Sequence, residues 1–271
     1  MEKTVITPSG TSLRDYLRDI RRYHRILYAF TYRSIRGKYA QTILGFIWVI
    51  INPLVSLLIL GFVFGKVAKL DTLGIDPFLY TMVGLIGWTY FANVVAAAGV
   101  NMVGSSNMIK KIFFPRIFIP LSVVVTAFVE LVVLIVLTLI LLLITQYTPS
   151  GNIIFYPLVL LLIVLLTAGI SFFLGAAVIR YRDFQQVVPF LTRIGLYATP
   201  VAYGLHVVDS GYRIFFNLNP MTGLMEGSRW CFFGGDFPGE ALLISVAWTL
   251  LIWVVGLIYF SRVEKTMADL I

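Results

Sequence analysis

The chain has 271 residues, 59% of them hydrophobic and 13% charged, with a mean hydropathy of +0.91. One soluble core of this length cannot hide that much apolar surface, so the composition excludes an ordinary globular domain and points to an all-α polytopic membrane protein. The formal charge of +8 is spread loop by loop, which is orientation chemistry rather than a nucleic-acid footprint. A single cysteine, Cys231, excludes an internal disulfide, and His24 and His206 stand too far apart in sequence to suggest a metal site.

Residues 1 to 12 read as a short lead containing Pro8, Ser9 and Gly10. No cleavable signal peptide is visible, because the first apolar run begins only after Lys38. A two-sided helix follows. At about 100° per residue from Leu13, the residues Leu17, Ile20, His24, Leu27, Tyr28, Thr31 and Ile35 stay within about 60°, whereas Arg14, Arg18, Arg21, Arg22, Arg25 and Arg36 fall roughly 80° to 180° away. That is the pattern of a helix lying flat in the membrane interface.

Between Lys38 and Lys66 lie 27 uncharged residues, room for one spanning helix of about 20 residues with a kink expected at Asn52-Pro53. Another 33 separate Asp76 from Lys110, giving a second span from Phe78 to about Gly104. From Ile117 to Ile179 only Glu130 is charged, and the turn cluster Gln146 to Asn152 divides the run into spans of about Ile119 to Thr145 and about Ile153 to Ile179. A fifth span is expected over about Phe184 to Leu205 and a sixth over about Ala241 to Phe260. The chain thus divides into residues 1–38, a lead with an interface helix, and 39–271, a six-span domain. That domain has a cytoplasmic loop at about 105–118 and an external segment at about 209–240.

Sixteen of the 21 Lys and Arg fall on the side of both termini and four on the other, which places both termini in the cytoplasm. Glu130 and Arg193 then lie at similar depth, roughly 14 to 17 Å from the cytoplasmic face. An unpaired charge there is costly, so the two are expected to face protein or water, with a Glu130–Arg193 pair as one solution and, as the other, an Arg193 that snorkels while Glu130 bonds a neighbouring helix. The loop Asn107 to Pro120 carries Lys110, Lys111 and Arg116 among Ile109, Ile112, Phe113 and Phe114. Two readings fit it: a docking loop for a soluble partner, or a loop whose aromatics rest at the headgroups. The external segment reads as short helices dipping into the outer leaflet.

No nucleophile with a base and no paired carboxylates are present. Gly61 to Val67 looks like a phosphate loop, but it is one residue short and lacks the Ser or Thr that would hold magnesium. Any ATPase driving this chain must therefore be another polypeptide. A secondary transporter would show internal repeats or several buried ionisable groups, and none stand out.

Four motifs carry a family resemblance: Arg33 to Tyr39 running into Gln41 to Trp48, Lys110-Lys111 to Phe114-Pro115-Arg116, Arg180 to Phe184, and Asn219-Pro220 to Glu226-Gly227-Ser228-Arg229. In order and together they resemble the membrane subunit of type-2 ABC exporters of cell-surface polysaccharides, the exporters of O antigen, teichoic acid and capsule. An exporter of drugs or lipids shares the same plan. The resemblance implies a homodimer of six-span subunits in the bacterial inner membrane, bound to two copies of a separate ABC ATPase that holds the ATP and Mg. This chain would carry no cofactor, catalytic residue or metal, and would move a lipid-linked polysaccharide outward.

It further implies that the ATPase grips Met108, Ile109, Lys110, Lys111, Phe113, Phe114, Pro115 and Arg116, and that the segment from Gly211 to Phe233 forms outer gate helices. Phe46, Trp48, Trp88, Tyr90 and Phe91 become candidates for the channel lining, where a ring covers the apolar face of a sugar; a belt or packing role suits them equally. Arg33, Arg36, Lys38, Arg180 and Arg182 could hold a substrate pyrophosphate by charge-assisted bonds, or serve topology alone.

Overall fold

The computed structural model describes residues 23–39, 45–111 and 114–267. Their regular structure is helical with no strand, the solution that satisfies every backbone group within its own segment in lipid. In chain order the helices are α1 (His24–Tyr39), α2 (Ile47–Leu60), α3 (Pro77–Gly104), α4 (Ser106–Lys111), α5 (Phe118–Thr126) and α6 (Phe128–Ile144). They continue with α7 (Tyr156–Arg180), α8 (Phe184–Ala198), α9 (Ser210–Asn217), α10 (Pro220–Phe233) and α11 (Gly239–Glu264). Among the described residues, five stretches are long and apolar enough to cross a membrane: Ile47–Val67, Pro77–Gly104, Phe118–Ile144, Gly151–Arg180 and Gly239–Glu264. The phosphate-loop look-alike is no loop, for Gly61–Val67 continues α2 as a π-helical turn.

α3 is the centre of the bundle. Asp76 caps it by accepting from the amides of Phe78 and Leu79 at 2.9 and 3.2 Å, and Pro77 supplies a first residue with no amide to satisfy. Its 28 residues reach about 42 Å. Every residue from Leu79 to Trp88 is buried, so this half of the helix has no lipid face, and α5, α6, α7, α8 and α10 pack around it. The apolar surplus goes outward, to Leu58 and Ile59 of α2, Leu139 and Leu143 of α6, and Leu243 and Leu250 of α11, all exposed. Lipid offers no hydrophobic drive for helix pairing, and small residues take over. A Cβ on Gly256 of α11 would lie 2.2 Å from the Gly169 carbonyl oxygen of α7, so these two helices touch backbone to backbone.

Helix directions follow from the pairings. Phe172 meets Phe260 at 6.3 Å, one turn beyond the Gly169–Gly256 contact, so α7 and α11 run parallel. Gly87 abuts Ile163 and Gly99 abuts Val178, so α3 runs parallel to both. The ends of α3, α7 and α11 therefore share one end of the bundle with α1 and α4. That end gathers Arg33, Arg36, Lys38, Lys110, Lys111, Arg116, Arg180, Arg182 and Arg262. At the other end His206 Nε2 lies 2.9 Å from the Asp71 carbonyl oxygen, and Arg213 donates to the carbonyl of His206 at 3.1 Å.

Two expectations change. The fifth span does not form as one long helix: α8 has 15 residues, about 22 Å against a hydrocarbon core of about 30 Å. Pro200 disfavours helical geometry at Thr199, whose φ of −109° and ψ of 139° end the helix. The chain then continues through turns and bends to a 3-10 turn at Leu205–Val207, with the Val201 carbonyl oxygen 2.2 Å from where a Cβ on Gly84 would stand.

The packed stripe of α1 also differs. Leu27, Thr31 and Ile35 are half-buried, as the periodicity predicts, but Ile26, Phe30 and Ser34 join them, while His24 and Tyr28 are exposed. The contact face is turned by roughly 50°, because α1 packs on α5 and on Phe114 as well as facing the membrane boundary. The residues from Leu13 to Arg22 lie outside the described residues.

Candidate functional site

Two clefts open near the basic end, of about 470 and 640 Å³, and they share a wall that includes Lys38, Asn93 and Asn101. The smaller lies between α1, α3 and α5 and is faced by Arg33, Ser34, Ser122 and Thr126. The larger lies between α2, α3 and α6 and is faced by Trp48, Asn52, Trp88 and Glu130. What they offer is binding rather than bond-making: cations, amides, hydroxyls and indole faces.

The wall holds a polar cluster. Glu130 sits on the first turn of α6, just past the break at Ala127 that divides α5 from α6. Its Oε1 pairs with the Lys38 ammonium of α1, and its Oε2 accepts from the Asn93 amide of α3. The Tyr39 hydroxyl lies 3.5 Å from Oε1. Burial first, and then the neighbouring Glu130 charge, push the Tyr39 hydroxyl up to about 12. The exposures are unequal: the Glu130 side chain is 8% exposed and that of Lys38 49%. The carboxylate is thus fixed inside protein while its cation reaches into open space.

Of the two readings for Glu130 and Arg193, the structure takes the one in which Glu130 bonds neighbouring helices, not the one in which the two pair. Arg193 is exposed on α8 and makes no hydrogen bond or ion pair among the described residues. Glu130 finds its cation on the interface helix instead, since α6 faces α2 and α3 while α8 packs on α3 and α7. The five pyrophosphate candidates also separate. Arg33 and Lys38 line the smaller cleft; Arg36 is exposed on α1 away from both. Arg180, at the end of α7, lies 5.8 Å from the Tyr181 ring centroid, and Arg182 is exposed in the turn beyond; neither lines a cleft.

The aromatic candidates divide likewise. Trp48 and Trp88 face the larger cleft. Phe91 stands behind Trp88 at 5.3 Å, and Phe46 is exposed, edge-on to Tyr39 at 5.7 Å. Tyr90 is fully buried, donating to the Val124 carbonyl at 3.1 Å, which makes it a strut between α3 and α5.

The basic loop is more tightly held than its composition predicts. Ile109, Phe114 and Pro115 are buried, Met108 is half-buried, and Phe114 packs on Phe30 of α1 at 5.2 Å. Glu264, at the end of α11, accepts from the Arg116 amide at 2.6 Å, and the Arg116 guanidinium bonds the Glu264 carbonyl. Lys110 and Lys111 remain exposed. Of the apolar side chains that suggested a docking surface, Ile109 and Phe114 are thus spent inside the chain, while Lys110 and Lys111 stand outward. Ile112 and Phe113 lie outside the described residues.

One cluster escaped sequence reasoning. Where α8 breaks, Arg229 of α10, 4% exposed, donates to the carbonyls of Pro200 and Val201 at 2.7 Å each. It also pairs with Glu226 at 2.8 Å and lies 4.4 Å from the Tyr80 ring centroid. Glu226 accepts from the Leu205 amide at 3.0 Å, and Asn219, which caps α10, donates to Thr199 Oγ1 at 2.8 Å. Backbone without helix survives at membrane depth only when protein satisfies it, and Arg229 and Glu226 do so. Arg229 is therefore a core residue, not the external loop charge it resembles in sequence. The signal available was a Glu and an Arg three residues apart on a predicted helix.

The model of one family, the ABC-2 type transporters, matches residues 25–233. This chain belongs to the ABC-2 type transporter family. The match runs from α1 through both clefts and the break after α8 to the end of α10. Among curated proteins, the O-antigen export system permease protein RfbA of Myxococcus xanthus is 27% identical, over 92% of this chain and 96% of that protein. The protein of the same name from Klebsiella pneumoniae is 26% identical, over 91% and 95%. The polysialic acid transport protein KpsM of Escherichia coli is 24% identical, over 87% and 92%. Within this ABC-2 chain, all four motifs of the resemblance fall inside the matched region.

Proposed function

We propose that the chain is the permease subunit of an ATP-driven exporter, carrying a lipid-linked polysaccharide, O antigen foremost, from the cytoplasmic side of the bacterial inner membrane. Family membership and near-full-length similarity to two O-antigen export permeases support the cargo. The observation that carries the reading is the sorting of the molecule. Its basic residues collect at one bundle end, and that end also holds the two adjoining clefts with a cationic and an aromatic lining. The positive-inside rule turns that end, with both termini, toward the cytoplasm, and α8 with its irregular continuation serves as the sixth crossing.

Two permease subunits would work with two copies of a separate ABC ATPase, which holds ATP and Mg. Lys110 and Lys111, exposed on α4, are available to meet it. The similarity to the polysialic acid transport protein keeps a capsule polysaccharide as the second reading.

The test uses the host cell. Deleting the gene is expected to abolish the surface polysaccharide, and the wild-type chain to restore it and co-purify with an ATPase. Replacing Lys110 and Lys111 by Glu is expected to remove both the ATPase and the surface polysaccharide while the protein stays folded in the membrane. An unchanged surface polysaccharide in the deletion strain would overturn the cargo, and a charge-reversed chain that still pairs and exports would overturn the coupling surface.

A further inference from the structure

Lys38 stands between a nearly buried carboxylate and an open cleft. On one side is the Glu130 carboxylate; on the other is the smaller cleft, which it lines with Arg33. Arg33 makes no hydrogen bond or ion pair among the described residues, although it faces the same space. Glu130 does not depend on Lys38 alone, since Asn93 donates to its other oxygen and the Tyr39 hydroxyl approaches the first. The Lys38 side chain is half-exposed and long, so moving its ammonium requires only rotamer changes, whereas the nearly buried Glu130 has no comparable freedom.

The geometry points to a placeholder: Glu130 occupies Lys38 while the smaller cleft is empty, and a phosphate or pyrophosphate anion entering the cleft beside Arg33 takes Lys38 from it. Glu130 is then a specificity residue acting through Lys38. A weakly charged ligand cannot displace a carboxylate, so the internal anion sets a threshold that a multiply charged phosphate group passes. Transfer of Lys38 also unties α1 from α6 and ties it to the cargo, so arrival of the anion is felt by the helix that packs against the basic loop through Phe30 and Phe114. The identification of that anion with the anchor of a lipid-linked glycan rests on the proposed function; the exchange at Lys38 does not.

The experiment is a mutant cycle on the full-length chain in nanodiscs of neutral lipid, titrated calorimetrically with inorganic pyrophosphate and then with farnesyl pyrophosphate. Glu130→Gln is expected to tighten pyrophosphate binding by about tenfold, the scale of one charge-assisted bond no longer competed for. Lys38→Gln should weaken it at least about tenfold, with Lys38→Arg restoring binding. In the Lys38→Gln background, Glu130→Gln should change nothing, because its effect passes through Lys38.

A Glu130→Gln effect of equal size in both backgrounds, or weaker binding in Glu130→Gln, overturns the proposal. A purely structural role for Glu130 predicts that weaker binding. Nanodiscs containing phosphatidylglycerol separate the sources of the phosphate. Loss of the pyrophosphate signal there assigns the site to bulk lipid headgroups and overturns the role in cargo recognition. A cycle that behaves as expected in a strain whose surface polysaccharide does not need the gene overturns the proposed function and leaves the exchange standing.

Discussion

The molecule contains two carboxylate–cation pairs of similar chemistry and opposite character. Glu226 and Arg229 are enclosed, and between them they satisfy three backbone groups at the broken crossing, the carbonyls of Pro200 and Val201 and the amide of Leu205. Glu130 and Lys38 join two helices across a cleft wall, with the lysine half in the open. A planar guanidinium with several fixed donors suits the first task, and a single mobile ammonium suits the second. The difference teaches that a charge in a membrane protein is explained by what its hydrogens reach, not by its depth.

The largest expected effect comes from Arg229→Ala. It strands Glu226 without its cation and leaves the Pro200 and Val201 carbonyls without their donor inside protein, which costs about 3 to 5 kcal/mol. Thermal unfolding in detergent, or the yield of monodisperse protein, should show it. Arg229→Lys should recover only part, since one ammonium cannot serve two carbonyls and a carboxylate in the fork geometry. By contrast Lys38→Gln removes a half-exposed cation, and Glu130 keeps the Asn93 amide as a donor, so the loss should be smaller, about 1 to 3 kcal/mol. Equal losses at the two sites would erase the distinction between a structural and an exchangeable pair.

A smaller effect sharpens the second pair. The folded Tyr39 hydroxyl is raised to about 12 from its ordinary 10.0, first by burial and then by Glu130. A raised folded value means that the folded state holds the proton longer than the unfolded one. The contribution is therefore present below pH 10.0 and lost as pH rises through about 12. Tyr39→Phe should flatten that part of the alkaline unfolding profile and leave neutral-pH binding at Lys38 intact. A profile unchanged by the substitution would remove Tyr39 from the Glu130 cluster.

Much of this was legible in the sequence, and the failures have physical reasons. Uncharged runs gave α3, α7 and α11 to within a few residues, because spanning length is set by the bilayer. Trp48 and Trp88 came forward with three other rings through the family resemblance, and only the fold separates the two that face a cleft from the rest. The Lys38–Glu130 pair was not legible, for the two are 92 residues apart and periodicity places a side chain on a face without saying what stands opposite. The broken crossing was missed because Thr199-Pro200 lies in an uncharged run, where hydropathy cannot distinguish a helix from an irregular segment that protein encloses. The same blindness left Arg229 merely counted among the four basic residues of the outer side.

The smallest expected effect is the most direct check on that last point. Arg193 lies on α8, inside an apolar run and at the calculated depth of Glu130, and depth alone assigns it a buried partner. In the fold it is exposed, and among the described residues nothing accepts its hydrogens. Exposed substitutions away from caps and networks shift stability by about 0.5 kcal/mol or less, so Arg193→Gln should leave the melting of the isolated chain unchanged, where Arg229→Ala collapses it. A large loss from Arg193→Gln in the isolated chain would mean that α8 is held by a bond its position does not reveal. A loss seen only in the assembled exporter would place the missing acceptor on a neighbouring subunit or on the cargo, and α8 would then face that neighbour rather than lipid.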